Sequence, residues 1–299
     1  MNNKLKGSLA LFFATLIWGT AFVAQSQGMD HIGPFTFQAI RCLMAPVALF
    51  PLIALLERKT ICQFLPKWKD PKLWKNGLLC GPALFFATNL QQMGMVYTDA
   101  GKAGFITAMY IILVPVFSIF LGRKPSIRLV ISILLAVFGM YLLCGTNVTS
   151  INLGDILIFL GAVAFAVHIL LVEKTCQGVD GLRLNSVQAL VVGVLSFVIM
   201  LLTETPKLDN IRSCTLPLLH TGILSMGIAY SLQIIGQKHV ESSAASLIMS
   251  MESVVAVIAG WLILNERLTL PEGLGCLLIF LSVILSQLPQ RSTKKENIC

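Results

Sequence analysis

The sequence predicts an all-α membrane protein of ten transmembrane helices arranged as two inverted five-helix repeats, and three observations lead there. The first is composition: 56% of the 299 residues are hydrophobic and 12% charged, with a mean hydropathy of +0.82. A soluble domain carries roughly 25% charged residues, so this chain cannot clothe a water-facing surface, and a soluble enzyme or DNA-binding domain is excluded. The second is a series of ten apolar runs, each near the roughly 20 residues that span a bilayer. The third is an internal repeat that divides those ten runs five and five.

In chain order the runs are 5–24, 34–56, 73–95, 100–121, 126–144, 154–172, 184–203, 214–236, 242–264 and 270–288. Charges, Pro or Gly interrupt the sequence between them, and no stretch is left for a soluble domain. Lys and Arg in short loops mark the cytoplasmic side. With the N-terminus inside, seventeen cations fall in inner segments, among them the cluster Arg58, Lys59, Lys67, Lys69, Lys72 and Lys75. Only Lys102, Lys207, Arg212 and Arg267 fall outside, and Arg41 lies within a span. Both termini are therefore expected in the cytoplasm of a multi-pass protein of the cell (inner) membrane. The net charge of +8 reads as topology; it forms no basic patch, and no nucleic-acid partner is expected.

Shifting the third run by 142 positions onto the eighth pairs Ala87 with Ala229, Leu90 with Leu232, Gln91 with Gln233 and Gly94 with Gly236. The same shift continues into the next run, pairing Asp99 with Glu241, Ala103 with Ala245, Ile106 with Ile248 and Met109 with Met251. Weaker matches join Gly7 to Gly154 and Phe12 to Phe159. Lys4 and Lys6 before an apolar run would also suit a signal peptide, but membership in the repeat means the first run is expected to be retained. The division is 1–147 for the first repeat, 148–288 for the second and 289–299 for a short, polar cytoplasmic tail. Five spans per copy is an odd number, so the copies enter the membrane from opposite sides. Inverted repeats of this kind recur in transporters, with the binding site at the midplane between the halves.

These residues resemble the drug/metabolite transporter superfamily, in its ten-helix branch built from two EamA-type repeats. The likeness spans nearly the whole chain. It rests on Trp18-Gly19-Thr20-Ala21-Phe22, Arg41, Tyr97-Thr98-Asp99-Ala100, Val114-Pro115-Val116, and the boundaries Leu121-Gly122-Arg123-Lys124 and Leu264-Asn265-Glu266-Arg267. The family's usual Leu-Gly-Glu-Arg lacks its Glu in the first copy, and Glu252-Ser253 stands where the family often has Glu-Pro. The resemblance implies a secondary carrier, commonly an exporter of small metabolites or amino acids, that works without ATP.

Ionisable groups within a span are costly, which makes each a functional candidate. Three stand out: Arg41, His168 and Glu252. Glu252 lies about ten residues into the ninth run, roughly 15 Å deep and so at the midplane. Its repeat equivalent, Tyr110, reaches the same depth. The face of Glu252 reads Ser242, Ala245, Ser246, Met249, Ser253, Ala256, Ala259 and Gly260, small and polar as a packed or cavity-lining face would be. A carboxyl group withdrawn from water can trade protons near neutral pH, so Glu252 is the candidate proton-coupling or cation-binding residue. The alternative for it is a protonated, hydrogen-bonded packing role.

Arg41, roughly 10 Å from the outer end of its run, can hold a substrate carboxylate, pair with Glu252 or serve structurally. His168 is a relay candidate or a satisfied packing residue. Asn89, Gln91 and Gln92 near one end of the third run mirror Tyr230 and Gln233 near the opposite end of the eighth, as gate or interface residues. Trp18 is a candidate cavity wall or a core-packing residue. Gly77 and Gly81 mark a close helix contact, and Pro46, Pro51, Pro82 and Pro115 have no second-half counterparts, so the halves are expected to bend unequally.

The eight cysteines contain no CxxC, and the chain has no GxxxxGK[ST] and no HExxH; neither metal, disulfide framework, ATP nor cofactor is indicated. The expected partners are the lipid bilayer and a small-molecule solute. A polytopic membrane enzyme or lipid-head-group flippase is the alternative class; an enzyme would need acids or His clustered at one interface, and the three ionisable groups are scattered in depth.

Overall fold

Each apolar run is helical in the computed structural model, which describes residues 2–57, 64–144, 151–263 and 269–288. The helices are α1 (Asn3–Met29), α2 (Pro34–Glu57), α3 (Pro71–Gly94), α4 (Ala100–Phe120), α5 (Ile127–Cys144), α6 (Leu153–Thr175), α7 (Gly181–Thr203), α8 (Thr215–Gln237), α9 (242–263) and α10 (Leu270–Gln287). Eight of them, all but α3 and α5, are long and apolar enough to cross a membrane, and Ile127–Leu143 in α5 is apolar but shorter. α3 is the more polar helix, carrying Lys72, Lys75, Asn76, Asn89, Gln91 and Gln92. The Leu264-Asn265-Glu266-Arg267 landmark, Arg58, Lys59, Arg291, Lys294, Lys295 and the 289–299 tail lie outside the described residues.

Local chemistry sets the helix ends. Asp70 accepts from the Lys72 backbone N–H at 2.9 Å, with Pro71 opening α3. α6 and α10 begin on reciprocal caps, Asn152 with Asp155 and Thr269 with Glu272, which satisfy backbone donors that lack a partner in the first turn. Gly122, at φ 81°, follows α4 in a left-handed conformation that favours glycine, giving the Leu121-Gly122 landmark a backbone reason.

The helix pairing maps onto itself when the halves are exchanged. α3 packs on α6 and α7 as α8 packs on α1 and α2; α4 packs on α6 as α9 packs on α1; and the pairs α2 with α7 and α5 with α10 each join equivalent helices. Small residues allow this closeness. A Cβ on Gly94 would sit 2.7 Å from the Gly154 carbonyl oxygen, and one on Gly236 would sit 2.9 Å from that of Gly7. These are equivalent contacts, each joining a helix of one half to a helix of the other. Gly77 and Gly81 face Val187 and Val191 of α7, so they do mark a close contact.

Polar contacts fasten one half to the other at the helix ends. Arg183, near the start of α7, holds Glu57 at the end of α2 through bonds of 2.9 and 3.0 Å. Lys67 Nζ lies 2.6 Å from the same carboxylate, and the guanidinium lies 5.2 Å from the Phe64 ring centre and 5.5 Å from that of Trp68. At the opposite end of the same pair, Glu204 beyond α7 accepts from the backbone N–H groups of Phe35 and Thr36 at 2.9 and 2.8 Å and from the Thr36 hydroxyl at 2.6 Å. Each end is thus closed by a carboxylate at the C-terminal end of one helix gripping the N-terminal end of the other, where helix polarity favours negative charge. Lys102 with Asp155, and Arg123 with Glu173, bridge the halves at 2.7 Å each.

Gly94→Ala and Gly236→Ala should each cost about 1–3 kcal/mol, because the added methyl meets backbone that cannot move aside cheaply. Gly101, with nothing within 4 Å of such a methyl, is the control. Thermal unfolding of the three variants in detergent should lower the midpoint for the first two and not for Gly101→Ala.

Candidate functional site

α4 and α9 both break at the same repeat position. α4 is helical over Ala100–Thr107 and resumes at Tyr110; α9 is helical over Ser242–Met249 and resumes at Met251. The ladder tightens in both, with Ile111 N–H bonding Ala108 O at 3.0 Å and Ser253 N–H bonding Ser250 O at 3.1 Å. Immediately after these breaks come Tyr110 and Glu252, which touch: the Tyr110 hydroxyl donates to Glu252 Oε1 at 2.8 Å, across 142 positions of sequence. Equivalent residues meet only on the axis relating two halves, so the axis passes between them.

This pair lines a cavity. The first repeat lines it with Trp18, Phe22 and Gln25 of α1, Arg41 of α2, Gln91 of α3, and Thr107 and Tyr110 of α4. The second repeat supplies Phe165 and Ile169 of α6, Ser225, Tyr230 and Gln233 of α8, and Met249 and Glu252 of α9. Aromatic and aliphatic walls with few convergent polar groups are what a small-molecule site requires.

Both ionisable groups in the wall lack an ion-pair partner among the described residues, and they do not pair with each other. Arg41 is 3% exposed and Glu252 4%. Arg41 donates from Nη1 to Gln25 Oε1 at 2.8 Å and from Nε to Gln38 Oε1. Gln91 donates to Thr107 Oγ1 at 2.9 Å. The Trp18 and Tyr230 rings meet edge to face at 5.0 Å. Two polar atoms of the wall, Trp18 Nε1 and Gln233 Oε1, are buried with no hydrogen-bond partner.

α8 approaches the cavity through a ten-residue π-helical stretch, His220–Ala229. The Asn185 amide on α7 donates to the Met226 and Gly227 carbonyls of that stretch at 2.8 Å each. Wide turns of this kind sit frequently at functional sites. Among the described residues no group of three or more His, Cys, Asp or Glu side chains is placed to hold a metal ion.

The EamA-like transporter family matches residues 5–145 and again 152–288. The chain belongs to that family. An "uncharacterized transporter" of Archaeoglobus fulgidus is 31% identical over 96% of this chain and 87% of its own length. The "uncharacterized transporter YoaV" of Bacillus subtilis is 25% identical over 94% of this chain and 97% of its own. A chloroplastic WAT1-related protein of Arabidopsis thaliana is 23% identical, covering 91% and 67% respectively. One solved crystal structure shares the fold at a TM-score of 0.77 and 19% identity, over 94% of this chain and 96% of that one. This EamA-family protein is a membrane transporter.

Of the eight residues singled out from the sequence, Trp18, Arg41, Gln91, Tyr110, Gln233 and Glu252 line the transporter's cavity. Asn89 and His168 do not. Asn89 bonds Ser196 of α7 at 3.0 Å, and His168 Nε2 lies 3.1 Å from Gln188 Oε1 with its ring against Tyr230. Phe22 and Gln25 were not singled out by their role, although they share a face with Trp18 at four and seven positions on, a spacing that would have found them. His220, also within a span, lies near one end of α8 with Nε2 3.1 Å from Thr20 Oγ1.

Tyr110→Phe removes the donor that the buried Glu252 carboxyl accepts from, and should cost about 1–3 kcal/mol. Glu252→Gln keeps an acceptor for the tyrosine and should cost less. Unfolding midpoints of the two variants in detergent check the order.

Proposed function

We propose that this EamA-family protein is a secondary carrier that exports a small metabolite or amino acid by alternating access. The observation that carries the reading is one cavity lined by both repeats and centred on the pair that marks their axis. In this reading all ten helices cross the cell (inner) membrane with both termini in the cytoplasm, as the distribution of cations predicts. The cavity lies near the midplane between broken helices, the arrangement in which carriers expose one site alternately to each side.

Glu252 is the coupling group in this mechanism. The Tyr110 hydroxyl holds one carboxyl oxygen and so fixes the orientation of the other, which is left to exchange a proton or bind a donor group of the solute. A solute entering from one side displaces or traps that proton. The half-sites on α4 and α9 then reorganise about their breaks, and the cavity opens to the other side.

The solute is found by comparing the metabolites secreted by overexpressing and deletion cells, and flux is then measured with that solute and purified protein in liposomes. Glu252→Gln should slow flux at least about tenfold, the range expected when one charge-assisted bond of about 1.4 kcal/mol or more is lost, and should flatten its dependence on pH. Unchanged flux and unchanged pH dependence remove the coupling role. Absence of flux for every solute whose secretion responds overturns the carrier.

A further inference from the structure

Reading the cavity as the solute's binding site leaves open what the solute must carry, and Arg41 narrows it. A guanidinium has five N–H donors in a planar fork and no acceptor. At Arg41 the amide oxygens of Gln25 and Gln38 take up two of them. Both amides are neutral, so they orient the group without balancing its charge. No carboxylate lies within ion-pair distance among the described residues. A cation that is 3% exposed and lacks a counter-charge sits in an unfavourable place unless a partner arrives.

The same wall holds a second donor in waiting. Trp18 Nε1 is buried with no acceptor, and Trp18 and Arg41 line the cavity together. Unsatisfied buried donors are uncommon and ask for an explanation. The matching acceptor is a planar anion, which Arg recognises through paired N–H groups. The neighbouring walls, Phe22, Phe165 and Tyr230, suit an apolar body attached to it. The unpartnered acceptor, Gln233 Oε1, belongs to α8 in the other repeat.

We propose that Arg41 and Trp18 form the seat for the carboxylate of a small organic acid, with Gln25 and Gln38 as positioning residues that aim the guanidinium. This rests on the cavity being the solute site. It does not rest on flux, so its failure is distinguishable from failure of the carrier reading.

The test is binding to the full chain purified in detergent, read as the ligand-dependent rise in unfolding midpoint. The probes are phenylacetate and phenylacetamide, which are close in shape and differ in charge. Wild type should half-saturate with the acid at a concentration at least about tenfold below that for the amide, one bidentate contact being worth about that factor or more. Arg41→Gln should erase the difference, and Arg41→Lys should keep part of it. Trp18→Phe, which keeps a ring and removes only the N–H, should weaken the acid severalfold and the amide, a neutral acceptor, less, and it supplies the answer if Arg41→Gln does not fold. A merely structural Arg41 would move the unliganded midpoint and not the ratio of acid to amide. Equal binding of the two probes, no binding of the acid, or an acid preference that survives folded Arg41→Gln overturns the proposal.

Discussion

A two-fold axis between duplicated halves imposes a constraint on whatever lies upon it, because there each residue meets its own equivalent. Where helices of the two halves merely cross, bare backbone suffices: Gly139 on α5 and Gly275 on α10, which are not repeat equivalents, approach each other's carbonyls. Side chains at the centre cannot solve it that way. Two glutamates would bring two carboxyls together, and two tyrosines would leave a buried hydroxyl competing for one acceptor. Tyr110 opposite Glu252 gives one donor and one acceptor at 2.8 Å. Sequence divergence at this single equivalent pair therefore lets the halves close on a polar centre, and the cavity, the broken helices and the packing around them are arranged about it.

Toward the helix ends, the interface between the halves combines close glycine contacts with charged ones. Van der Waals contact at Gly94, Gly154, Gly7 and Gly236 sets how near the helices come, while Glu57 with Arg183 and Glu204 with the start of α2 set which ends meet. Division of labour of this sort suits a bilayer, where apolar attraction between helices is weak and shape and hydrogen bonds decide association. Polar groups near the helix ends remain within reach of water and head groups, so their bonds can be exchanged at modest cost. Those in the centre are not so placed.

Much of this was legible in the sequence because its signals were of two kinds that physics writes linearly. Apolar runs follow from the solvent, and the repeat arithmetic linking positions 110 and 252 follows from duplication, so the central pair could be placed before any coordinates. Face periodicity named the buried stripe of α9, where Ser242, Ala245, Ser246, Met249, Glu252 and Ser253 are all buried. Partnerships were harder. Asn89 has the chemistry of a cavity residue and the depth of one, but its azimuth on α3 turns it to Ser196 on α7. His168 likewise satisfies Gln188 behind the wall. Gln38, three positions before Arg41 on α2, is a local partner, but that Gln25 holds Arg41, and Glu252 does not, depends on how α1 leans on α2, which no local spacing records. The reciprocal grips of Glu57 and Glu204 escaped for the same reason: they lie at run ends, where charge reads as topology.

The wide stretch of α8 was invisible too, since His220–Ala229 contains no proline to announce it. Each broadened turn advances the azimuth of everything that follows, so the direction in which Tyr230 and Gln233 face is decided upstream of them and pinned by an amide on a different helix, Asn185. Its counterpart in the first half, 142 positions earlier, contains Pro82. A proline's defect is written into covalent structure and stays where it is. A broadened turn is a dislocation: it can travel along a helix by passing one hydrogen bond to the next residue, turning the wall as it goes. Two halves built to one plan thus differ in kind at this place, one carrying a proline and the other a run of wide turns.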